Sequence, residues 1–273
     1  MNLFYPSALS IAGSDCGGGA GIQADLKTFQ ELDIYGMSVI TAVTAQNTQE
    51  VKEVFPLPLQ TVEAQLQAIG EDFTPASTKT GMLYSAEIIQ LVASAIKCYA
   101  WPQIVIDPVM ISKSGAVLLQ PSAMDTMLDI LLPLACLITP NIPEAELISG
   151  IEIVDVPSLY EAGQRICSMG VPHVLLKGGH REDSVESTDY LITRDTYLAL
   201  SSPRIHTRHT HGTGCTLSAA ITSGLAKGNS IEKAVSLGKK FIMNAIAYPI
   251  EVDSRHLYGP VNHWAYADRG DMR

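Results

Sequence analysis

Residues 8–32 read ALSIAGSDCGGGAGIQADLKTFQEL, and this stretch decides the fold class. It opens with an apolar run, Ala8–Ala12, that is typical of a buried strand, and it ends in a helical pattern over Ile22–Leu32. Between them lies a glycine-rich turn whose backbone amides are open to a ligand. Its glycine spacing matches neither the dinucleotide-binding fingerprint nor the P-loop. A strand, a glycine-rich turn and a helix in this order predict the first unit of a parallel α/β sheet.

The same alternation continues along the chain. Several of the apolar runs are apolar on both faces, as expected for strands covered by helices on two sides. The order predicts one domain over residues 1–273, with a central, mostly parallel sheet and right-handed crossovers. The predicted strands are Ala8–Ala12, Ser38–Ala45, Ala76–Thr80, Ile104–Asp107, Leu137–Thr139 and Val174–Leu176. The predicted helices are Ile22–Leu32, Leu59–Ile69, Ala86–Cys98, Ser122–Leu131, Pro143–Ile148 and Leu159–Met169.

Two stretches depart from the alternation. Gln49–Pro58 lacks helical periodicity and predicts a short strand pair that projects from the sheet. Asp189–Leu200 predicts a hairpin that turns at Thr193–Thr196. After the hairpin, the pattern predicts two closing helices, Gly214–Lys227 and Ile231–Ala247, with Ser230 as the N-cap of the second.

The composition is that of an acidic globular protein. Hydrophobic residues make up 47% and charged residues 17% of the 273 residues, and the net charge is −10 at pH 7. The acidic balance argues against a nucleic acid or an anionic membrane as partner, since both require a basic surface. No apolar run reaches the ~18 residues that a membrane-spanning helix needs, and residues 1–7 show no secretory signal.

The cysteines indicate a reducing, cytoplasmic setting. There are five, and no two form a C-x-x-C pair, so a disulfide framework or a structural zinc site is not expected. Cys98, Cys136 and Cys167 lie in apolar or helical stretches and are predicted to be small core residues. Cys16 and Cys215 instead lie in glycine-rich turns.

The sequence HGTGCTLS at His211–Ser218 predicts an anion-binding turn. Its two glycines precede an alanine-rich helical segment, so several backbone amides and the positive end of the helix dipole converge. Such a site suits a transferring phosphoryl group. Cys215 falls at the helix start, where we expect a lowered thiol pKa and a thiolate able to act as base toward a substrate hydroxyl. The alternative is an ordinary glycine N-cap with an incidental cysteine.

Polar residues also follow other predicted strands. Asn141 and Glu144 can hold water or Mg²⁺ near phosphates, and Asp107 can order metal-bound water. Lys177 can reach the phosphates of ATP as a point charge, and Lys239 is either a second such lysine or a surface residue. Each has an ordinary structural explanation by itself. Most fall at one predicted edge of the sheet, however, where open α/β folds bind their ligands.

Apolar residues at the same edge complete the pattern. Met82 and Val109 come just after two predicted strands. They can flank an aromatic ring, or they can simply pack in the core.

Together, these motifs resemble the hydroxymethylpyrimidine/phosphomethylpyrimidine kinases of thiamine biosynthesis, in order and in spacing. The resemblance covers nearly the whole chain. It implies a ribokinase-like fold of three αβα layers, with a small β flap from residues 49–58 that helps to form a homodimer. The motifs are Ala12–Asp15, Gly18–Thr28, Lys79–Leu83, Asp107–Met110, Thr139–Ala145, His211–Ser218 and Gly259–His263.

The resemblance also implies the reaction and its residues. ATP would phosphorylate the hydroxymethyl group of 4-amino-5-hydroxymethyl-2-methylpyrimidine, and a second phosphorylation would give the diphosphate. Mg²⁺ would accompany ATP, and the need for a monovalent cation stays open. The implied catalytic residues are Cys215, Gly212, Thr213, Gly214 and Lys177; the substrate-binding residues are Gly13, Ala20, Asp25, Gln46, Met82 and Val109; the ATP-binding residues are Lys177, Thr213, Lys239 and Asn141; and the metal-binding residues are Asp107 and Glu144.

Departures from the family pattern leave two other functions open. Cys16 replaces a usual Ser and Asn262 a common His, and related pyridoxal kinases carry a Cys where this chain has Ser112. A pyridoxal kinase of the same fold is the nearest alternative, and Ser112 argues against it, because a serine cannot form the hemithioacetal that a thiol would. Gln46 argues against it, because a side-chain amide can pair with the edge of an aminopyrimidine. A non-catalytic pyrimidine sensor is the third possibility, and the presence of the glycine turn with Lys177 argues against it.

Overall fold

The computed structural model describes residues 5–111, 115, 117–178, 185–250 and 258–266. Within these ranges, nine strands form one sheet in the order β3-β2-β1-β4-β5-β6-β7-β8-β9. The strands from β2 to β7 in that order run parallel, while β3, β8 and β9 are antiparallel to their neighbours. The strands are β1 (Ser7–Asp15), β2 (Tyr35–Gln46), β3 (Val51–Pro56), β4 (Ser77–Thr80), β5 (Ile104–Ile106), β6 (Leu137–Ile138), β7 (Val174–Leu176), β8 (Glu186–Ile192) and β9 (Tyr197–Pro203).

Helices cover both faces of the sheet, which confirms the predicted three-layer α/β architecture. One face packs its apolar side chains against α2, α3 and α6, and the other face packs against α1, α7 and α8. The central strands β4 and β5 are buried along their whole length, as strands between two helical layers must be. The helices are α1 (Gly21–Glu31), α2 (Leu59–Asp72), α3 (Ala86–Cys98), α4 (Met124–Thr126), α5 (Ile142–Ser149), α6 (Val156–Ser168), α7 (Thr213–Ala226) and α8 (Ile231–Ala247).

Local sequence signals account for several helix boundaries. Asn141 and Glu144 form a capping box at the start of α5, with reciprocal hydrogen bonds of 2.8 Å. Gly150 ends that helix in the left-handed conformation, at φ 71°. Ser230 caps α8 through the amide of Lys233, as predicted. The hairpin of β8 and β9 turns at Thr193–Thr196, which is also confirmed.

Three structural predictions were wrong in detail. Residues 49–58 contain one strand, β3 (Val51–Pro56), and not a strand pair, because the extended C-terminal half of β2 supplies the partner. The predicted helix at 122–131 is a short α-helical turn flanked by 3₁₀ and π turns. Pro133 has no amide with which to continue an α-helix there. Cys98 is exposed, since it ends α3 on the solvent side.

Within the described residues, no helix is both long enough and apolar enough to span a bilayer.

Candidate active site

Two glycine-rich turns contact each other at the C-terminal edge of the sheet. Gly212 has φ 84°, and a β-carbon there would overlap the carbonyl oxygen of Gly19. A β-carbon at Gly19 would in turn overlap the ring of His211. Both positions therefore require glycine, one for its conformation and both for the close approach. The turn after β1 and the turn before α7 form one structural unit.

Asp15 and His211 hold this unit together. The Oδ2 of Asp15 lies 2.9 Å from Nε2 of His211 and accepts the amide of Ala20 at 2.8 Å, while its Oδ1 accepts the amide of Gly17 at 2.8 Å. Burial alone would raise the pKa of Asp15, but the hydrogen bonds from His211 and the backbone more than offset it, and the pKa lies below its ordinary value. The ionised carboxylate of Asp15 therefore fixes the backbone of the first glycine turn.

A second group of charges surrounds the start of α7. Nζ of Lys177, just after β7, lies 3.1 Å from Oδ1 of Asp107 and 4.0 Å from Oε2 of Glu144. A β-carbon on Gly214 would lie 3.6 Å from that Nζ and 3.7 Å from Oδ2 of Asp107. The glycine turn and the ends of β5, β6 and β7 therefore meet at one place.

The ionisation of this group follows from its burial and pairing. Burial alone would lower the pKa of Lys177, but Asp107 and Glu144 raise it above its ordinary value. Burial alone would raise the pKa of Asp107, but Lys177 and Lys79 hold it below its ordinary value. Burial raises the pKa of Glu144. The cluster therefore contains a persistent ammonium beside an ionised carboxylate.

An apolar surface adjoins the two turns. A β-carbon on Gly13 would lie 3.1 Å from Sδ of Met82. Met82 forms a small buried cluster with Ala42 and Leu118, against which Val109 packs. Nε2 of Gln46 lies 3.4 Å from Nε2 of His211. The predicted substrate residues Gly13, Met82 and Val109 thus lie together, and Gln46 and Ala20 border the same turns.

Asp25 does not face this surface. Its side chain is 0% exposed, and its oxygens bind Nζ of Lys79 at 2.9 and 3.0 Å. Ser10 donates to the same carboxylate at 2.5 Å. The predicted hydrogen bond from the Asp25 side chain to a ligand does not fit this conformation, because every bond of that carboxylate is made inside the core.

Lys239 is a buried residue, so its interpretation as a simple surface lysine was wrong. It is 9% exposed, and its ammonium binds Asp189 at 2.7 Å and the carbonyl of Ser187 at 3.1 Å. Asp189 also accepts the amide of Gly178 at 2.9 Å, which connects Lys239 to the residue after Lys177. Lys239 also borders a groove of about 420 Å³ between β9 and α8. Its role in binding ATP stays a prediction.

Comparison with known proteins gives the family. The sequence pattern of the phosphomethylpyrimidine kinases matches residues 15–262. The chain belongs to this family. The hydroxymethylpyrimidine/phosphomethylpyrimidine kinase of Haemophilus influenzae is 51% identical over 262 residues, which cover 95% of this chain and 97% of that protein. Its counterpart in Bacillus subtilis is 46% identical over 259 residues, with 95% of each chain covered.

Solved structures agree with the ribokinase-like fold of the family. The phosphomethylpyrimidine kinase of Clostridium difficile superposes with a TM-score of 0.78 at 46% identity, covering 88% of this chain and 99% of that one. The pyridoxal kinase of Bacillus subtilis, solved as an ADP complex, superposes with a TM-score of 0.87 at 39% identity, covering 96% and 98%.

Cys215 differs from the sequence prediction in one respect that matters for a phosphomethylpyrimidine kinase. Burial raises the pKa of its thiol to about 11, and Lys79 offsets this only in part because Asp25 and Asp107 act in the opposite direction. The predicted low pKa was wrong, since the helix terminus is covered by the first glycine turn and the thiol is removed from water. Cys215 is therefore a neutral thiol at pH 7.

Sequence reasoning missed Asp15, Lys79 and Asp189 as members of the site. Asp15 carried a local signal, because an Asp followed by glycines commonly accepts their amides. No local pattern indicated the ion pairs of Lys79 and Asp189, because each partner is distant in the chain. Lys79 binds Asp25, which is 54 residues away, and Asp189 binds Lys239, which is 50 residues away. Ser112, by which pyridoxal kinases were to be told apart, lies outside the described residues.

Proposed function

We propose that this protein transfers the terminal phosphoryl group of ATP to the hydroxymethyl group of 4-amino-5-hydroxymethyl-2-methylpyrimidine, and then to the resulting monophosphate, in thiamine biosynthesis. The observation that carries the proposal is the meeting of Lys177, Asp107 and Gly214 beside a glycine unit bordered by the Met82 surface. Membership of the phosphomethylpyrimidine kinase family supports the same reaction.

The phosphates of ATP bind at the start of α7. The turn Gly212–Thr213–Gly214 forms the N-terminus of α7, and the positive end of the helix dipole there favours an anion. Lys177 adds a charge that is already paired and therefore fixed in position. Related pyridoxal kinases of Staphylococcus aureus were solved with AMP-PCP or ADP, which supports the assignment of a nucleotide. Asn141 and Lys239 stay predicted contacts.

The carboxylates fit a magnesium ion that is bound mainly through phosphate oxygens and water. Asp107 is 2% exposed and accepts hydrogen bonds from Lys177, Thr139 and Ser218. Glu144 is the more accessible carboxylate, at 9% exposure. No larger group of metal-binding side chains occurs in the described ranges. Glu144 and Asp107 would hold the ion's waters, and the ion would neutralise charge on the phosphates.

The pyrimidine binds against Met82 and Val109. The ring lies on the apolar surface, beside Gly13 and Ala20. Gln46 pairs with the aminopyrimidine edge, because its amide both donates and accepts. The hydroxymethyl oxygen then points to the glycine turn. Attack of this oxygen on the γ-phosphorus forms the new P–O bond while the bond to ADP breaks.

Cys215 orients the attacking hydroxyl. A thiol with a pKa of about 11 is protonated at neutral pH, so it acts first as a hydrogen-bonding group. A loose phosphoryl-transfer transition state needs little early removal of the hydroxyl proton, so positioning by Cys215 and the anion site carries the step. Asp25 acts indirectly, through the ammonium of Lys79 that it binds.

Product analysis tests the function. The purified protein is incubated with ATP, Mg²⁺ and hydroxymethylpyrimidine, and the products are separated by chromatography and identified by mass spectrometry. We expect the monophosphate first and the diphosphate later. A parallel reaction with pyridoxal tests the alternative suggested by the similarity to pyridoxal kinases. A higher kcat/KM for pyridoxal would reverse the assignment, and binding of the pyrimidine without consumption of ATP would make the protein a sensor.

The assembly and the location of the protein are part of the proposal. We infer a cytoplasmic, single-domain enzyme that works as a homodimer. The edge strand β3, on which Phe55 is 58% exposed, supports a contact between copies. Light scattering behind a sizing column would give the mass, and a monomer at micromolar concentration would contradict the dimer.

A further inference from the structure

A buried ion pair lies under the site and has no role in the proposed contacts with ATP or pyrimidine. The side chains of Lys79 and Asp25 are both 0% exposed. Nζ of Lys79 lies 2.9 and 3.0 Å from the two carboxylate oxygens, and Ser10 donates to the same carboxylate at 2.5 Å. Removing two charges from water is costly and such a pair seldom stabilises a fold more than apolar side chains would. The cost of the buried pair points to a role other than stability.

The strand that carries Lys79 faces the helix that carries Cys215. Ser77 on β4 donates to the carbonyl of Thr222 on α7 at 2.8 Å. Lys79 comes two residues later in the same strand, so it points to the same face, about 7 Å nearer the C-terminal edge. On α7, Ser218 and Cys215 lie one and two turns before Thr222, in the same direction. Lys79 is thus aligned with the start of α7.

The position of the ammonium agrees with this alignment. A β-carbon on Gly81 would lie 3.5 Å from Nζ of Lys79, which puts the charge at the level of the strand end. Asp25 fixes it from α1, and Ser10 fixes Asp25 from β1. Burial alone would lower the pKa of Lys79, but Asp25, together with Cys215 and Asp107, raises it above its ordinary value. The lysine therefore stays charged.

Four charged groups act on the thiol of Cys215, each from a different element. Lys79 on β4 and Lys177 after β7 are positive, while Asp25 on α1 and Asp107 after β5 are negative. Lys177 and Asp107 form a pair of their own. Lys79 is the strongest of the influences that favour the thiolate of Cys215.

We propose that Lys79 is a positioning residue whose fixed ammonium stabilises negative charge at Sγ of Cys215 and at the adjoining glycine turn. Asp25 and Ser10 hold the ammonium in place, and the negative charge of Asp25 partly cancels its effect on the thiol. The importance of this charge for turnover rests on the proposed phosphoryl transfer. Its effect on the thiol is a property of the resting protein and can be measured without ATP.

Alkylation of Cys215 by iodoacetamide tests the proposal, because only the thiolate reacts. The rate is followed by mass spectrometry of the peptide that contains Cys215, between pH 7.5 and 9.5. Cys16 and Cys98 are both exposed and are replaced by Ser in every protein compared. The variant is Asp25→Asn with Lys79→Met, which removes both charges at once and so leaves neither group buried without its partner. Ser77→Ala is the matched control, since it loosens the same β4–α7 contact without changing a charge.

We expect the rates to follow charge and not packing. The double variant should react severalfold more slowly than the parent, because Lys79 favours the thiolate more than Asp25 opposes it and one pKa unit changes the thiolate fraction tenfold. Ser77→Ala should match the parent protein. A double variant that reacts as fast as the parent would overturn the proposal, and so would an equally large change in Ser77→Ala. If the double variant does not fold, Asp25→Leu with Lys79→Leu replaces it and is judged by the same comparison.

Steady-state kinetics separates this proposal from the proposed function. If the chain is a kinase, Lys79→Met should lower kcat while the KM for ATP changes little, because the ammonium touches neither ligand. If the alkylation pattern is as expected but no pyrimidine is phosphorylated, the charge effect stands and the function fails. A Lys79→Met variant with an unchanged kcat would overturn the catalytic importance of the residue.

Discussion

Replacing Gly212 by Ala should separate the two glycine turns. The residue has φ 84°, where an L side chain is strained, and its β-carbon would overlap the carbonyl oxygen of Gly19. The obstacle is a backbone atom, so it cannot be relieved by a change of rotamer. Either the first turn or the start of α7 must move.

The size of the effect can be worked out from these two terms. The left-handed conformation costs about 1–2 kcal/mol for Ala, and displacement of a packed neighbour adds about 1–3 kcal/mol. Together they predict a loss of about 2–5 kcal/mol, which for a chain of this size lowers Tm by roughly 3–9 °C. Because the shift occurs where the phosphate binds, we also expect kcat to fall by about a hundredfold.

Gly228 provides a matched control at the other end of the same helix. It has a similar φ of 77°, but a β-carbon there would meet nothing within 4 Å. Gly228→Ala should therefore lower the free energy of unfolding only by the cost of the left-handed conformation, about 1–2 kcal/mol, and the variant should keep its activity.

Urea denaturation and initial-rate kinetics on both variants test the contact between Gly212 and Gly19. The difference between the two free energies of unfolding isolates the contact between Gly212 and Gly19 from the strain that they share. If Gly212→Ala is no less stable than Gly228→Ala and phosphorylates the pyrimidine at the same rate, the two turns are not in contact as described.

Three further predictions concern single residues. His263 is buried, and burial lowers its pKa from 6.5 to about 4. Below pH 6.5 the imidazole takes up a proton in the unfolded chain but not in the folded protein. The free energy of unfolding therefore falls as the pH is lowered from 6.5 to about 4. The loss should amount to about 3 kcal/mol, and urea denaturation should show a smaller loss in His263→Gln; an equal loss would contradict the assigned burial. Gln46→Leu should raise the KM for the pyrimidine roughly tenfold or more and leave the KM for ATP nearly unchanged, and equal effects on both would remove its assigned role. Cys215→Ala should lower kcat by about a hundredfold with little change in ATP affinity, because the attacking hydroxyl loses the thiol that orients it, and near-normal turnover would show that the glycine turn alone carries the step.

The sequence was sufficient for most of the fold. The predicted helices Ala86–Cys98 and Ile231–Ala247 match α3 and α8 residue for residue, because their periodicity and caps are local signals. Turn chemistry likewise located the β8–β9 hairpin. The segment at 122–131 failed because its apolar pattern is compatible with α, 3₁₀ and π turns alike, and only packing and Pro133 select among them.

Part of the site could also be predicted. Residues that follow parallel strands must meet at one edge of the sheet, so the approach of Lys177, Asp107 and Gly214 follows from their order in the chain. The partner of a particular charge does not follow from that order. Asp25 was predicted to bind the ligand, yet its carboxylate pairs with Lys79. Asp25 lies on the face of α1 that packs against the sheet, and α7 covers that face.

The sequence by itself determined the alternation of strands and helices, the two glycine turns and the family, because each is written in local periodicity, backbone permissiveness or motif spacing. The tertiary structure alone decided which charges neutralise each other and how far each thiol is removed from water. Asp15 and His211 are 196 residues apart in the chain, yet Oδ2 of Asp15 and Nε2 of His211 form a hydrogen bond of 2.9 Å. Burial, a property of the whole fold, raises the pKa of Cys215 to about 11 where its place at a helix start had indicated the opposite.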